Sequence, residues 1–274
     1  MKSLSAEVIR RALDDATTAR LGELEIFTEI ESTNSYLMQQ AGPAPGQLHV
    51  VATDNQTAGR GRHGRTWQSP PGSGLCLSMA YAFASQPAHL SALTLAVGLG
   101  VIETLQAINV HGVQLKWPND LIVEDGKLGG ILTEAQTQAG SAVTVVTGIG
   151  LNIDLGGELD LGAESGGVRH AVDMKTLSVA LPARNRIAAS IINGLCRTFV
   201  DFEASGFMKY KPRWHDHDWL LGREVTIDTP HQKISGVANG VADDGALLID
   251  TRSDGTHRVT SGTVLMAGNR RASR

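Results

Sequence analysis

Period-two alternation of apolar and polar residues dominates this chain, and period-four spacing takes over in only a few places. Alternation predicts strands, because successive side chains leave a strand on opposite faces. Residues 25–30 read this way, as do 75–82, where Leu75, Leu77, Met79 and Tyr81 share one face. Short apolar runs at 48–52 and 113–116 predict buried strands. Residues 121–124 turn through Asp125-Gly126, a strong hairpin signal, into 127–132. A further strand covers 142–153, interrupted by Gly148 and Gly150. Helical spacing predicts an exposed amphipathic helix over 5–20, with Val8, Ile9, Ala12 and Leu13 on one face and Gly22 ending it. Ser32-Thr33-Asn34 is a helix-start signal, and Pro43 stops the helix it opens. An Ala/Leu-rich helix is predicted over 87–108. Pro182 opens another, whose Ile187, Ile191, Leu195 and Phe199 fall four apart. A helical piece with Phe207, Tyr210 and Trp214 leads to Trp219.

From Gly222 the texture changes to short strands and Asp-Gly turns, which reads as a small all-β module. Two domains are therefore expected, over residues 1–221 and 222–274. Strand–turn–strand pairs with a few long helices favour an α+β fold, with a mixed, mainly antiparallel sheet, over a doubly wound parallel one.

A chain of 274 residues can bury a substantial core. Its formal net charge of −4 argues against a dedicated nucleic-acid binder. No stretch suggests a membrane span, and the N-terminal residues lack a secretory signal, so a cytoplasmic location is expected. Cys76 and Cys196 form no CxxC pair and read as buried free thiols.

The chemistry sits in four islands at strand edges and turns. Residues 59–65 alternate glycine with arginine, Gly59-Arg60-Gly61-Arg62-His63-Gly64-Arg65, followed by Trp67. Glycine lets the main chain come close to a ligand, and each guanidinium offers a fork of donors matched to carboxylate and phosphate. Three like charges this close repel one another unless an anion sits among them. The other islands are Ser32-Thr33-Asn34, Lys116-Trp117-Pro118-Asn119-Asp120 with Lys127-Leu128-Gly129-Gly130-Ile131-Leu132, and Gly148-Ile149-Gly150-Leu151-Asn152. A G-x-S-x-G elbow, a P-loop and a Cys/His metal cluster are all missing. A site rich in cations and poor in acid–base pairs suits a reaction that must bring two anions together, such as nucleotidyl transfer. Read alone, the arginine run also fits a solvated basic loop or a nucleic-acid patch.

These four islands, in this order, resemble the biotin protein ligases (biotin–[acetyl-CoA carboxylase] ligases), over about residues 25–267. The resemblance implies a class II synthetase-like fold followed by an SH3-like β-barrel. It implies two steps: biotin and Mg2+-ATP form biotinyl-5′-adenylate, which then acylates a lysine of a biotin carboxyl carrier protein, a subunit of acetyl-CoA carboxylase. Ser32, Thr33, Asn34, Gln56, Gly59, Arg60, Lys127, Gly129 and Gly130 are the implied biotin-binding set. Arg62, Arg65, Trp67, Asn119, Lys127 and Asn152 are the implied ATP set, and Lys127, Arg60, Arg62 and Asp120 the catalytic one. Metal ligands stay open. So does a second copy of the chain as a partner. One helix precedes the first catalytic strand, so sequence-specific DNA binding through an N-terminal winged helix is not expected. A lipoate–protein ligase is the rival of the same chemistry; the arginine run and the C-terminal module stand closer to the biotin branch.

Overall fold

The computed structural model describes residues 2–266 except 138–141, 158, 161–167, 169, 179 and 253. Residues 267–274 of the expected second domain lie outside the described residues.

Two short helices, α1 (Ala6–Arg10) and α2 (Asp15–Thr18), replace the single helix expected over 5–20. The Asp14 carboxylate accepts the Thr17 N–H at 2.8 Å and starts a new helix in mid-period. Gly22 ends neither; it lies inside β1 (Leu21–Ile30). Then come α3 (Thr33–Gln39), capped at Ser32 as the sequence predicts, β2 (Leu48–Gln56) and β3 (Gly74–Phe83). The Ala/Leu-rich helix α4 is regular only over Leu93–Ala107, because His89 takes a left-handed φ of 55° and a tight turn precedes it. Next are β4 (Val113–Lys116), β5 (Asp120–Val123), β6 (Gly126–Thr137) and β7 (Val143–Asn152). Two-residue strands β8 (Leu159–Asp160) and β9 (His170–Ala171) precede α5 (Met174–Leu177), α6 (Arg184–Ser205) and α7 (Lys211–His217).

The main sheet runs β1-β2-β3-β7-β6-β5-β4, with β9 paired to β6 and β8 to β9. β1 and β2 are parallel, joined through α3, whereas the pairs from β2 through to β4 are antiparallel. This is the expected mixed, mainly antiparallel α+β architecture. Every residue of β3 is buried, as befits a central strand covered on both faces. α4 and α6 cover one face, and Ile187, Ile191, Leu195 and Phe199 of α6 are all buried there. Gly100 faces Thr198, and Gly194 faces Thr104, so the two helices cross at close range. Residues 90–107 are apolar enough in length and composition for a membrane span, but most of α4 is buried within this core. On the opposite face α3 makes a smaller cluster through Leu37, against Val51, Ala80 and Val146. Cys76 and Cys196 are buried free thiols.

A second, wholly antiparallel sheet starts at Glu224. Its strands are β10 (Glu224–Asp228), β11 (Lys233–Val241), β12 (Leu247–Thr251), β13 (Gly255–Val259) and β14 (Thr263–Met266), in the order β13-β12-β11-β10-β14. Its buried face, including Ile227, Leu247 and Ile249, continues into the main core. The Trp117 indole N–H donates to Gly245 O at 3.0 Å, tying the turn after β4 to this sheet.

Candidate active site

The start of α3, Gln56 with residues 60–68, the first half of β3, the turn after β4, the first half of β6 and the C-terminal end of β7 open onto one cavity of about 620 Å3. Residues 262–264 of the C-terminal sheet close part of its rim. Arg60 and Lys127 both line it.

One end is neutral and finely hydrogen-bonded. Gln56 Oε1 accepts the Thr33 backbone N–H at 2.9 Å and lies 3.1 Å from Thr33 Oγ1. Thr33 Oγ1 meets Ser78 Oγ at 2.6 Å, and Ser78 donates to Asn34 Oδ1, also at 2.6 Å. Asn34 Nδ2 donates to Leu132 O at 3.1 Å and to the Glu134 carboxylate at 3.0 Å. Both amide hydrogens of Asn34 thus have protein partners, which makes it a brace for this network rather than a donor to a ligand. Gly148 lets Asn34 in, since a Cβ there would collide with Asn34 Oδ1. Ser32 lines the cavity while its hydroxyl accepts the Ser35 N–H at 3.3 Å, so it is also the helix cap.

The other end is cationic. Lys127 Nζ lies 2.6 Å from Asp120 Oδ1 and 5.8 Å from the centroid of the Trp67 ring. Arg62 is pulled below the ordinary arginine range mainly by burial, with Arg65 adding repulsion and Asp120 partly offsetting it. Lys116 is 5 % exposed. Burial brings it down to about 8, Lys127 and Arg65 push the same way, and Asp120 opposes them. Asp120 thus attracts Lys127, Lys116 and Arg62 while Arg65 repels Lys116 and Arg62, an arrangement that favours an arriving polyanion.

The loop joining the ends is a small hairpin. Arg60 bridges Thr66, the Gly61 N–H reaches Arg65 O at 2.7 Å and the Trp67 N–H reaches Gly59 O at 3.0 Å. Gly59 is not among the cavity-lining residues; a Cβ there would come within 2.5 Å of Trp67 O, so its smallness serves the hairpin base. Gly129 likewise faces Gly150 O on the neighbouring strand and not the cavity, whereas Gly130 does line it. Gly150 makes room for the Trp67 indole, which a Cβ would meet at 2.5 Å. Asn152 donates to Lys127 O and Val172 O, both at 3.1 Å, and so positions the Lys127 backbone. Asn119 Nδ2 donates to Ile131 O at 2.8 Å, pinning the turn that carries Asp120. Burial pushes the Cys76 thiol up to about 11. A thiol so protonated is a poor nucleophile.

Arg60 is held differently from the other two loop arginines. Its guanidinium is engaged by Glu134, at 2.8 Å and 3.1 Å, and does not join the cationic cluster. Sequence reasoning missed Glu134, Ser78 and the burial of Lys116. Glu134 lies two residues past Leu132 on the same face of β6, and Ser78 is a polar position inside an apolar strand. Both are visible signals once the strands are in register.

Residues 26–152 match the Biotin/lipoate A/B protein ligase family, and residues 220–266 match the Biotin protein ligase C terminal domain. The chain is 33 % identical over 229 residues to the bifunctional ligase/repressor BirA of Escherichia coli, covering 84 % of this chain and 70 % of that protein. This chain belongs to the biotin protein ligase family. It is also 31 % identical to the biotin–[acetyl-CoA-carboxylase] ligase of Mycobacterium tuberculosis, covering 83 % of each. The structure of the biotin protein ligase from Aquifex aeolicus in complex with biotin and ATP superposes with a TM-score of 0.71 at 26 % identity, covering 89 % of this chain and 97 % of that one. Family membership makes the chain an enzyme, and the match to the biotin-ligase C-terminal domain sets it apart from the lipoate rival.

Proposed function

We propose that this ligase joins biotin to ATP and then to a lysine of a carboxylase carrier domain, and that the two ends of its cavity divide the labour. The observation that carries this is the convergence of Lys127, Lys116 and Arg62 on Asp120, with Arg65 close by, at one end of a cavity whose other end is a neutral hydrogen-bonded network. A ureido ring needs paired donors and acceptors when buried, because an unsatisfied amide costs about 1–3 kcal/mol. Ser32, Thr33, Gln56 and Ser78 supply them, braced by Asn34.

In the first step a biotin carboxylate oxygen attacks the α-phosphorus of ATP and pyrophosphate leaves. Lys127, flanked by Lys116, Arg62 and Arg65, offsets the repulsion between carboxylate and phosphate and stabilises the charge that builds in transit. The Trp67 ring, seated against Gly150, forms a wall on which adenine can stack. Mg2+ enters with the substrate, on the phosphates of ATP. In the second step the carrier lysine amine attacks the carbonyl carbon and AMP departs with the former carboxylate oxygen. Asp120, beside Lys127, is the group positioned to take the amine proton once Lys127 turns to the substrate. A cytoplasmic location fits a reaction that consumes ATP.

The test is direct. The protein is incubated with radiolabelled biotin, Mg2+-ATP and a biotin carboxyl carrier domain, and then with lipoate in place of biotin. ATP-dependent labelling of the carrier by biotin alone is expected; labelling by lipoate alone, or none by either, would overturn the assignment.

A further inference from the structure

Glu134 belongs to neither half of the reaction just described, yet it joins the two halves of the site. Its side chain is 23 % exposed. One oxygen accepts Arg60 Nη2 at 2.8 Å; the other accepts Arg60 Nη1 at 3.1 Å and Asn34 Nδ2 at 3.0 Å. The first pair is the fork-on-carboxylate geometry that makes guanidinium bonds strong and directional. Among the described residues, Arg60 is the loop arginine with a carboxylate at hydrogen-bond distance. Arg62 and Arg65 repel each other at the cationic end.

From Glu134 a run of hydrogen bonds passes through Asn34 to Ser78, which donates to Asn34 Oδ1 and so leaves the Thr33 hydroxyl to donate to Ser78 Oγ, while the Thr33 backbone N–H donates to Gln56 Oε1. Each hydroxyl in that run has one hydrogen, so turning any member reassigns the donors and acceptors that the network presents to a ligand. Glu134 thus sets the orientation of Asn34 on one side and the seat of the 59–67 hairpin on the other.

We propose that Glu134 is a positioning residue that latches the arginine loop through Arg60 and, through Asn34, couples that closure to the orientation of the biotin-binding network. The inference rests on the ligase reading above. Its two arms separate by chemistry. A glutamine at this place keeps a carbonyl acceptor for Asn34 but removes the negative charge that holds Arg60; alanine removes both.

The test measures three quantities: biotin KM, the half-life of enzyme-bound biotinyl-adenylate, and protease cleavage within 59–66 in protein without substrates. Glu134→Gln should shorten the adenylate half-life about fivefold or more and speed loop cleavage, with biotin KM within about twofold of wild type. Glu134→Ala should in addition raise biotin KM about tenfold. Arg60→Gln should match Glu134→Gln, and the double variant Arg60→Gln/Glu134→Gln should be no worse than either alone, since both remove one interaction. Thermal melts establish that each variant is folded. An unchanged adenylate half-life and cleavage rate in Glu134→Gln, or additive losses in the double variant, would overturn the latch. Failure of wild type to make adenylate would instead strike the ligase reading, and the proteolysis arm, which needs no catalysis, would still decide the latch.

Discussion

Raising the pH from 7 to 9 should weaken nucleotide binding through Lys116. In the free protein burial, helped by Lys127 and Arg65, brings this ammonium from the ordinary lysine value down to about 8. At pH 7 about nine-tenths of molecules therefore carry the charge, and at pH 9 about one-tenth. Arriving phosphates favour the ammonium and move its pKa back up. Nucleotide binding should then take up about 0.9 proton at pH 9 but only about 0.1 at pH 7, with affinity falling about tenfold between them. Calorimetric titration with a non-hydrolysable ATP analogue, in two buffers of different ionisation enthalpy, reads the uptake directly. Lys116→Met should abolish it. Uptake below about 0.3 proton in wild type at pH 9, or equal uptake in Lys116→Met, would refute the argument.

The same shift has a stability sign. The folded pKa lies below the unfolded one, so between about 8 and 10.5 the unfolded chain binds more protons and stability rises with pH. Below that window the buried ammonium costs on the order of 3 kcal/mol. Lys116→Met should therefore melt at a higher temperature than wild type at pH 7 while binding nucleotide more weakly. A residue that serves a ligand at the expense of the fold behaves this way.

Lys127→Ala should slow adenylate formation by a factor on the order of a hundred or more, because the removed charge acts where negative charge builds; pyrophosphate release measures it, and a loss under tenfold refutes the role. Gly150→Ala puts a Cβ about 2.5 Å from the Trp67 ring, so it should raise the KM for ATP several-fold with little change in melting temperature; an unaltered KM would remove Trp67 from the nucleotide site. Arg62→Gly should let biotinyl-adenylate escape and label lysines of bystander proteins, as read by streptavidin blotting; carrier-only labelling would argue against Arg62 as a charge that holds the adenylate phosphate. Arg184→Ala should cost about 3–5 kcal/mol in denaturant unfolding, since it strands the Asp54 carboxylate and the Gly74 and Thr53 carbonyls that Arg184 binds; a loss under 1 kcal/mol would show the site relaxes around the gap.

What the sequence made legible was local and periodic. The alternation over 75–82 and the fourfold spacing of Ile187, Ile191, Leu195 and Phe199 correspond to β3 and α6 because both elements are buried along their apolar faces. Asp14 shows where that logic fails. The apolar period runs through it, but a single carboxylate-to-N–H bond restarts the helix there. The parallel pairing of β1 with β2 left no mark either, since both directions of pairing use the same alternation. In the site, the arginine–glycine loop and Lys127 stood out as charge in a turn. Gly148 and Gly150 read as strand interruptions, and their purpose emerged only when Asn34 and Trp67 were seen lying over them.

The arginines of the loop carry the larger lesson about reading charge from sequence. Gly59 to Arg65 presents three guanidiniums that look equivalent, and a purely electrostatic reading assigns all three to the phosphates. The fold divides them. Glu134 pairs with Arg60 across 74 positions of chain, so that in the proposed latch this arginine fastens the loop. Arg62 and Arg65 are left beside Lys116 and Lys127 with one carboxylate among four cations. Had Glu134 been absent, all five cations would repel one another around the cavity and favour an open loop; had a second carboxylate joined Asp120, the net positive charge offered to phosphate would have fallen by about a third. Closure and phosphate affinity thus draw on different residues of the same run, which is why each can be altered separately by mutation.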